Sequence, residues 1–239
     1  GDDKLASALE CPEQRPALLM MSGDQIYADH VAGSMLYAIH QVIELLGLNS
    51  EVFSGCELQD SQQLYQLSTQ YFQRENILPE AKLKSPWYKL ASSQPIFTST
   101  NAHNHVITFA EAMAMYLLVW SPCLWEKVTL TGFAIPDKYQ QTHQQELAAL
   151  KTFISGLDKV QRLLAHIPTY MIFDDHDVTD DWNLTAQWEQ SAYQDPLAKR
   201  IIGNTLMAYW LCQGWGNDPK QFKGDFWQVA DAYQQQPEI

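Results

Sequence analysis

Residues 170–183 read Tyr-Met-Ile-Phe-Asp-Asp-His-Asp-Val-Thr-Asp-Asp-Trp-Asn, an apolar run that ends in a cluster of acids. Residues 18–30 repeat the pattern as Leu-Leu-Met-Met-Ser-Gly-Asp-Gln-Ile-Tyr-Ala-Asp-His. Short apolar runs that end at turn residues are typical of strands buried on both faces, as parallel strands are. We therefore predict two neighbouring parallel strands over 17–22 and 169–173, with acidic carboxyl ends at one edge of a sheet.

The rest of the chain has mostly helical periodicity. We predict helices over 31–48, 57–75, 109–120, 139–165, 196–210 and 219–232, and an irregular connection over 79–108. The prediction is thus an α/β fold that is predominantly helical, with a large helical crossover joining the two short strands. Because no repeat or linker divides the sequence, residues 1–239 are expected to form a single unit.

The composition excludes several classes of protein. The formal net charge is −13, from 28 acidic and 15 basic residues, so the basic surface of a nucleic-acid-binding protein is not expected. No apolar run reaches the length of a membrane-spanning helix. The four cysteines lie far apart and are expected to be reduced core thiols. The compartment stays open, with the cytoplasm favoured.

The acids at the two strand ends predict a metal site. Aspartates crowded into residues 174–181 would repel one another unless a cation neutralised them. Carboxylates and an imidazole that converge at one sheet edge form a site for a hard cation. Taken singly, Asp29, Asp180 and Asp181 are better explained as turn-forming or helix-capping residues.

Two motifs resemble those of a known family. Gly23-Asp24-Gln-Ile-Tyr27 and Phe173-Asp174-Asp175-His176-Asp177 each follow an apolar run. In this order they resemble the second and third metal motifs of the alkaline phosphatase D (PhoD-like) branch of the calcineurin-like metallophosphatases. The resemblance implies part of a metallophosphatase-type fold and hydrolysis of a small-molecule phosphoester at a dinuclear site. The metals would be divalent or trivalent ions such as Mn, Fe, Ca or Zn.

The resemblance also implies roles for individual residues. Asp24 would bridge the two metals, and Asp175 falls where the wider superfamily has a metal-binding Asn. His176 would stabilise or protonate the reacting phosphate. Asp174 and Asp177 would orient these groups from outside the metal's ligand shell. The implied reaction is in-line attack on phosphorus by a metal-activated hydroxide.

Other residues near the motifs carry weaker expectations. Tyr27 either lines the substrate cleft or packs in the core, and His30 is a candidate for the wall of the site. His103 and His105 would share a face on a strand and could then bind zinc. Because they lie in a polar stretch before a helix, a helix-capping segment with solvated histidines is favoured instead.

The resemblance is incomplete, and this leaves two functions open. No strand with an Asp-x-His motif precedes Gly23, and no histidine follows His176. We therefore expect an internal fragment of a longer phosphoesterase, inactive by itself. The alternative is a non-catalytic helical module whose acids bind a structural Ca²⁺ or a partner. The distance between Asp24 and Asp175 discriminates between the two.

Overall fold

The structure is a computed structural model that describes residues 1–8, 10–67, 71–83, 92–97 and 104–235. Helices take up 56% of it. The strands are β1 (Leu19–Ser22), β2 (Glu80–Leu83), β3 (Ser92–Pro95) and β4 (Thr169–Ile172). The α-helices are α1 (Asp2–Ser7), α2 (Gly33–Leu46), α3 (Ser61–Tyr65), α4 (Phe109–Trp120), α5 (Gln140–Ser155), α6 (Leu157–His166), α7 (Ala186–Gln194), α8 (Pro196–Tyr209), α9 (Trp215–Asn217) and α10 (Asp225–Gln235).

The two acidic strand ends lie side by side, as predicted. β1 and β4 pair in parallel, with Leu19 opposite Thr169 and Ser22 opposite Ile172. Everything between them, including α2, α4, α5 and α6, forms the crossover. The carboxyl ends of both strands therefore open onto the same edge of the sheet.

The expected burial of these strands on both faces is wrong. In each strand, half-buried residues alternate with exposed ones, and Met20 is 66% exposed and Ile172 55% exposed. The physical reason is that the pair stands alone as a two-stranded sheet. The described residues cover only the face that carries Leu19, Met21 and Met171.

The main core lies between the helices of the crossover. α2 and α4 pack against each other and α4 also packs against α8, so α4 crosses the core as predicted. Thr108 and Glu111 form a capping box at the start of α4, which satisfies two backbone N–H groups there. Gly47 ends α2 in a left-handed conformation, which glycine adopts without a steric cost.

Three predictions between these elements need correction. In the described part of 57–75, the expected helix is reduced to α3 and the start of a 3₁₀ turn, Arg74–Asn76, because Phe72 and Arg74 turn into the core instead of facing solvent. The connection at 79–108 contains an antiparallel hairpin of β2 and β3. The helix expected over 139–165 is interrupted at Gly156, which separates α5 from α6.

The C-terminal part follows the prediction with one addition. α8 begins at Pro196 with Asp195 as its N-cap, and α10 overlaps the last predicted helix, 219–232, but begins later and ends at Gln235. Between them, residues Trp210–Gly214 form a π-helical turn. The four cysteines are free thiols, but Cys11 and Cys123 are exposed rather than in the core. Within the described part of the chain, no helix combines the length and apolarity needed to cross a membrane.

Candidate metal centre

Two tight turns bring acids to the carboxyl edge of the β1–β4 pair. After β1 the chain turns at Gly23, whose φ of +113° suits glycine, and presents Asp24. After β4, residues Asp175–Asp177 form one 3₁₀ turn that Asp174 caps by accepting from the Asp175 N–H.

Asp177 joins the two turns. Its buried carboxylate accepts hydrogen bonds from the backbone N–H groups of Gln25 (3.0 Å) and Ile26 (3.1 Å). It also accepts from the N–H of Asp174 and the hydroxyl of Tyr116. Burial raises the pKa of Asp177, although these hydrogen bonds oppose the shift. These contacts hold the backbone that follows Asp24, and the role of Asp177 in orienting metal-binding groups stays a prediction.

The carboxylates of Asp24, Asp174 and Asp175 converge. One oxygen from each lies within 4.8 Å of the others. Asp24 Oδ1 is buried without a hydrogen-bond partner in the described structure, which is costly for an anion unless a cation compensates it. A second set of three carboxylates with the same spread shares Asp175 and adds Asp180 and Asp181.

His176 is held in place by Asp29, which the sequence alone indicated as a turn-forming or capping residue. Its Nδ1 lies 2.9 Å from an oxygen of Asp29, which is fully buried. The same oxygen accepts the Asp180 N–H at 2.9 Å. Burial alone would lower the pKa of His176, but the hydrogen bond and the charge of Asp29 outweigh it and raise that pKa.

Tyr27 belongs to the site and His30 does not join its ligand groups. The Tyr27 ring lies 4.7 Å from that of His176, and a hydrogen bond to Asp24 raises the pKa of its phenol. His30 is exposed and forms a backbone β-bridge with Asn104. It lies outside the three sets of described side chains that could hold a metal, which are Asp24 with Asp174 and Asp175, Asp175 with Asp180 and Asp181, and Asp29 with His176 and Asp180.

The remaining predictions near the site concern Asp29, His105 and His103. Asp29 does lie in a turn, as expected, but its buried carboxylate also binds His176. The only sequence signal for it is its place five residues after Asp24, at the end of the same motif. His105 is fully buried rather than solvated, because its backbone carbonyl accepts from the buried Arg74. His103 lies outside the described residues.

The residues present fit a hard metal ion. Carboxylate oxygens dominate the candidate ligands, and the single imidazole is that of His176. Such a set suits Ca²⁺, Mn²⁺ or Mg²⁺ better than a thiolate-preferring ion. No protein-family model, no curated protein and no solved structure matches the chain at a significant level.

Proposed function

We propose that this chain forms part of a metal-dependent phosphoesterase, a phosphomonoesterase or phosphodiesterase, in which Asp24 and Asp175 hold metal. The observation that carries the proposal is the approach of these two carboxylates to within 4.8 Å from separate strand ends. Acids that only form turns gain nothing from this convergence, because like charges at short range oppose ionisation. The same approach favours the enzyme over a module with a dispersed acidic surface.

A dinuclear site is part of the proposal. The set that contains Asp24 and the set that contains Asp180 share Asp175, so Asp175, and not Asp24 as the resemblance implies, would be the carboxylate common to two neighbouring cations. A bound metal would supply Lewis-acid stabilisation of phosphoryl oxygens and a more acidic water as nucleophile. It would also let an anionic phosphoester approach a protein of charge −13.

The chain's own contribution to the chemistry centres on His176. Asp29 accepts from Nδ1 and thereby fixes the orientation of the imidazole, which leaves Nε2 as the atom that faces a substrate. His176 would therefore donate a hydrogen bond or a proton to the phosphate.

The proposal is tested first by metal content. In the intact protein that contains this chain, Asp24→Asn removes a ligand charge and should lower the metal content, and Asp175→Ala should lose metal mainly at one of the two positions. Asp231→Asn is the matched control, because Asp231 is an exposed residue of α10. Elemental analysis and Mn²⁺ titration measure the outcome. Unchanged metal content in both site variants would refute the proposed ligands.

A second test separates binding from chemistry. His176→Ala should keep its metal and lower the turnover of p-nitrophenyl phosphate and its bis ester by about 10²- to 10⁴-fold. Turnover is measured on the intact protein that contains this chain. If His176→Ala keeps wild-type turnover, His176 does not act on the phosphate; if no variant changes metal or turnover, the phosphoesterase proposal fails.

A further inference from the structure

The π-helical turn that follows α8 places the side chain of Gln213 next to Asp177, the carboxylate that joins the two turns of the candidate metal centre. Gln213 lies in this turn and is only 2% exposed. Its Nε2 donates to the hydroxyl oxygen of Tyr116 at 2.9 Å and lies 3.3 Å from Asp177 Oδ1. Tyr116 donates to that same carboxylate oxygen at 3.0 Å. Two neutral donors from different helices therefore meet at one buried oxygen.

The wider turn is what places Gln213 there. The buried face of α8 includes Ile201, Thr205 and Ala208, at the spacings of three and four residues that an α-helix gives. Continued in α-helical register, that face would next present residue 211 or 212. A π turn adds one residue, so that Gln213, five positions after Ala208, occupies the buried face. Such turns occur often at functional sites.

The hydrogen bonds continue from Gln213 to the turn that carries Asp24. Asp177 Oδ1 accepts from Gln213 and Tyr116 and also from the Ile26 N–H at 3.1 Å. Its other oxygen accepts from the Gln25 N–H at 3.0 Å. The backbone immediately after Asp24 is therefore fixed by a carboxylate whose own position depends on the π turn.

We propose that Gln213 is a positioning residue for the metal centre, acting through Asp177 on the backbone that sets the Asp24 carboxylate. The orientation of its amide follows from the contacts, since the opposite orientation would bring Oε1 against the Asp177 carboxylate. The effect on metal binding rests on the proposed function, whereas the effect on the backbone of Gln25 and Ile26 does not.

Gln213→Met tests the proposal, because it keeps the length and approximate volume of the side chain and removes the donor. In the metal-free protein, amide exchange at Gln25 and Ile26 should become about tenfold faster. Mn²⁺ affinity should fall by about three- to tenfold, near the lower limit for losing an outer partner of a metal ligand. Tyr116→Phe removes the other donor to the same oxygen, and the two effects should not be additive.

Thr205→Val is the matched control. Thr205 is a buried residue of α8 whose hydroxyl bonds only to the Ile201 and Ile202 carbonyls, so exchange at Gln25 and Ile26 should stay at the wild-type rate. Should Gln213→Met not fold, Tyr116→Phe gives the same readout. Faster exchange in Gln213→Met without any Mn²⁺ binding by the intact protein that contains this chain would sustain the effect on the backbone and refute the proposed function. Wild-type exchange and affinity in both Gln213→Met and Tyr116→Phe would overturn the inference.

Discussion

A buried ion pair shows how a single residue is fixed by contacts far away in the chain. The guanidinium of Arg74 and the carboxylate of Glu111 are fully buried and 2.6 Å apart. Burial opposes the ionisation of Glu111, but the charge of Arg74 and the hydrogen bond from His40 keep its pKa well below the usual range. Arg74 also donates to the His105 carbonyl, so that the pair ties three segments together.

At this scale we predict that Glu111→Gln lowers the free energy of unfolding by about 3–5 kcal/mol, because it leaves the Arg74 charge buried without its partner. Thr108→Ala removes the N-cap of the same helix but keeps the ion pair, and should cost about 1 kcal/mol. Urea unfolding of both variants measures the difference. Equal losses would mean that capping, and not charge, accounts for the effect of Glu111.

The titration of His40 should make the stability of the folded protein fall as the pH is lowered. Burial lowers its pKa in the folded protein, an effect that the neighbouring Glu111 only partly offsets. The unfolded chain therefore binds more protons below pH 6.5, and stability is lost as pH falls through that value. The loss is at most about 1.4 kcal/mol per pH unit for one group.

The measurement compares urea unfolding of wild type and His40→Gln between pH 7.5 and 5.5. The wild type should lose more stability than the variant over this range, since only the wild type carries the His40 titration. Burial also lowers the pKa of His105 and His143, but both proteins share these groups, so the difference isolates His40. Parallel pH profiles would contradict the prediction.

At the scale of elements, two glycines at helix ends differ in whether they can accept a side chain. A Cβ on Gly156, at the junction of α5 and α6, would meet the Phe153 carbonyl at an ordinary 3.5 Å. A Cβ on Gly33, at the start of α2, would lie 2.4 Å from the buried ring of Phe72. The first site thus accepts a side chain and the second does not.

We expect Gly156→Ala to stabilise the protein by about 0.4–1 kcal/mol, because it restricts the unfolded chain at a compatible conformation. Gly33→Ala should destabilise by about 1–3 kcal/mol through overpacking. Thermal unfolding of the two variants gives the signs. A fall in midpoint for Gly156→Ala would show that the break between α5 and α6 requires glycine.

The elements that the sequence predicted correctly are those whose causes are local. The helix Phe109–Trp120 follows from its apolar composition and from the Thr108 cap, and the parallel strands follow from two similar runs with acidic ends. The prediction over 57–75 failed because Arg74 pairs with a residue 37 positions away. A distant partner leaves no periodic signal in the segment itself.

The residues of the candidate site also divide into those that the sequence alone could indicate and those that it could not. Asp24, Asp175 and His176 could be chosen from the sequence because strand ends collect functional side chains. Asp29 and Gln213 could not, since the role of each depends on a contact. Asp29 meets His176 across 147 positions, and Gln213 meets Asp177 only because of a π turn.

For the molecule as a whole, we predict weak metal binding by these 239 residues. Among the described residues, each candidate set offers three side chains, fewer than the six to eight oxygens that Ca²⁺ takes. Calorimetric titration with Mn²⁺ or Ca²⁺ should therefore show binding in the millimolar range or none. Tight uptake of two equivalents would show that further residues of the chain act as ligands.

The parallel pairing of β1 and β4 has a consequence for the order of folding. The hydrogen bond from Gln25 to Asp177 joins residues 152 positions apart, whereas α2 and α4 are built from local contacts. Because a chain must lose loop entropy before such distant contacts form, the helices between the strands should assemble first. The edge that carries the acids is then completed in the last steps, when Asp177 captures the turn after β1. During synthesis, that edge cannot form until residue 177 has left the ribosome.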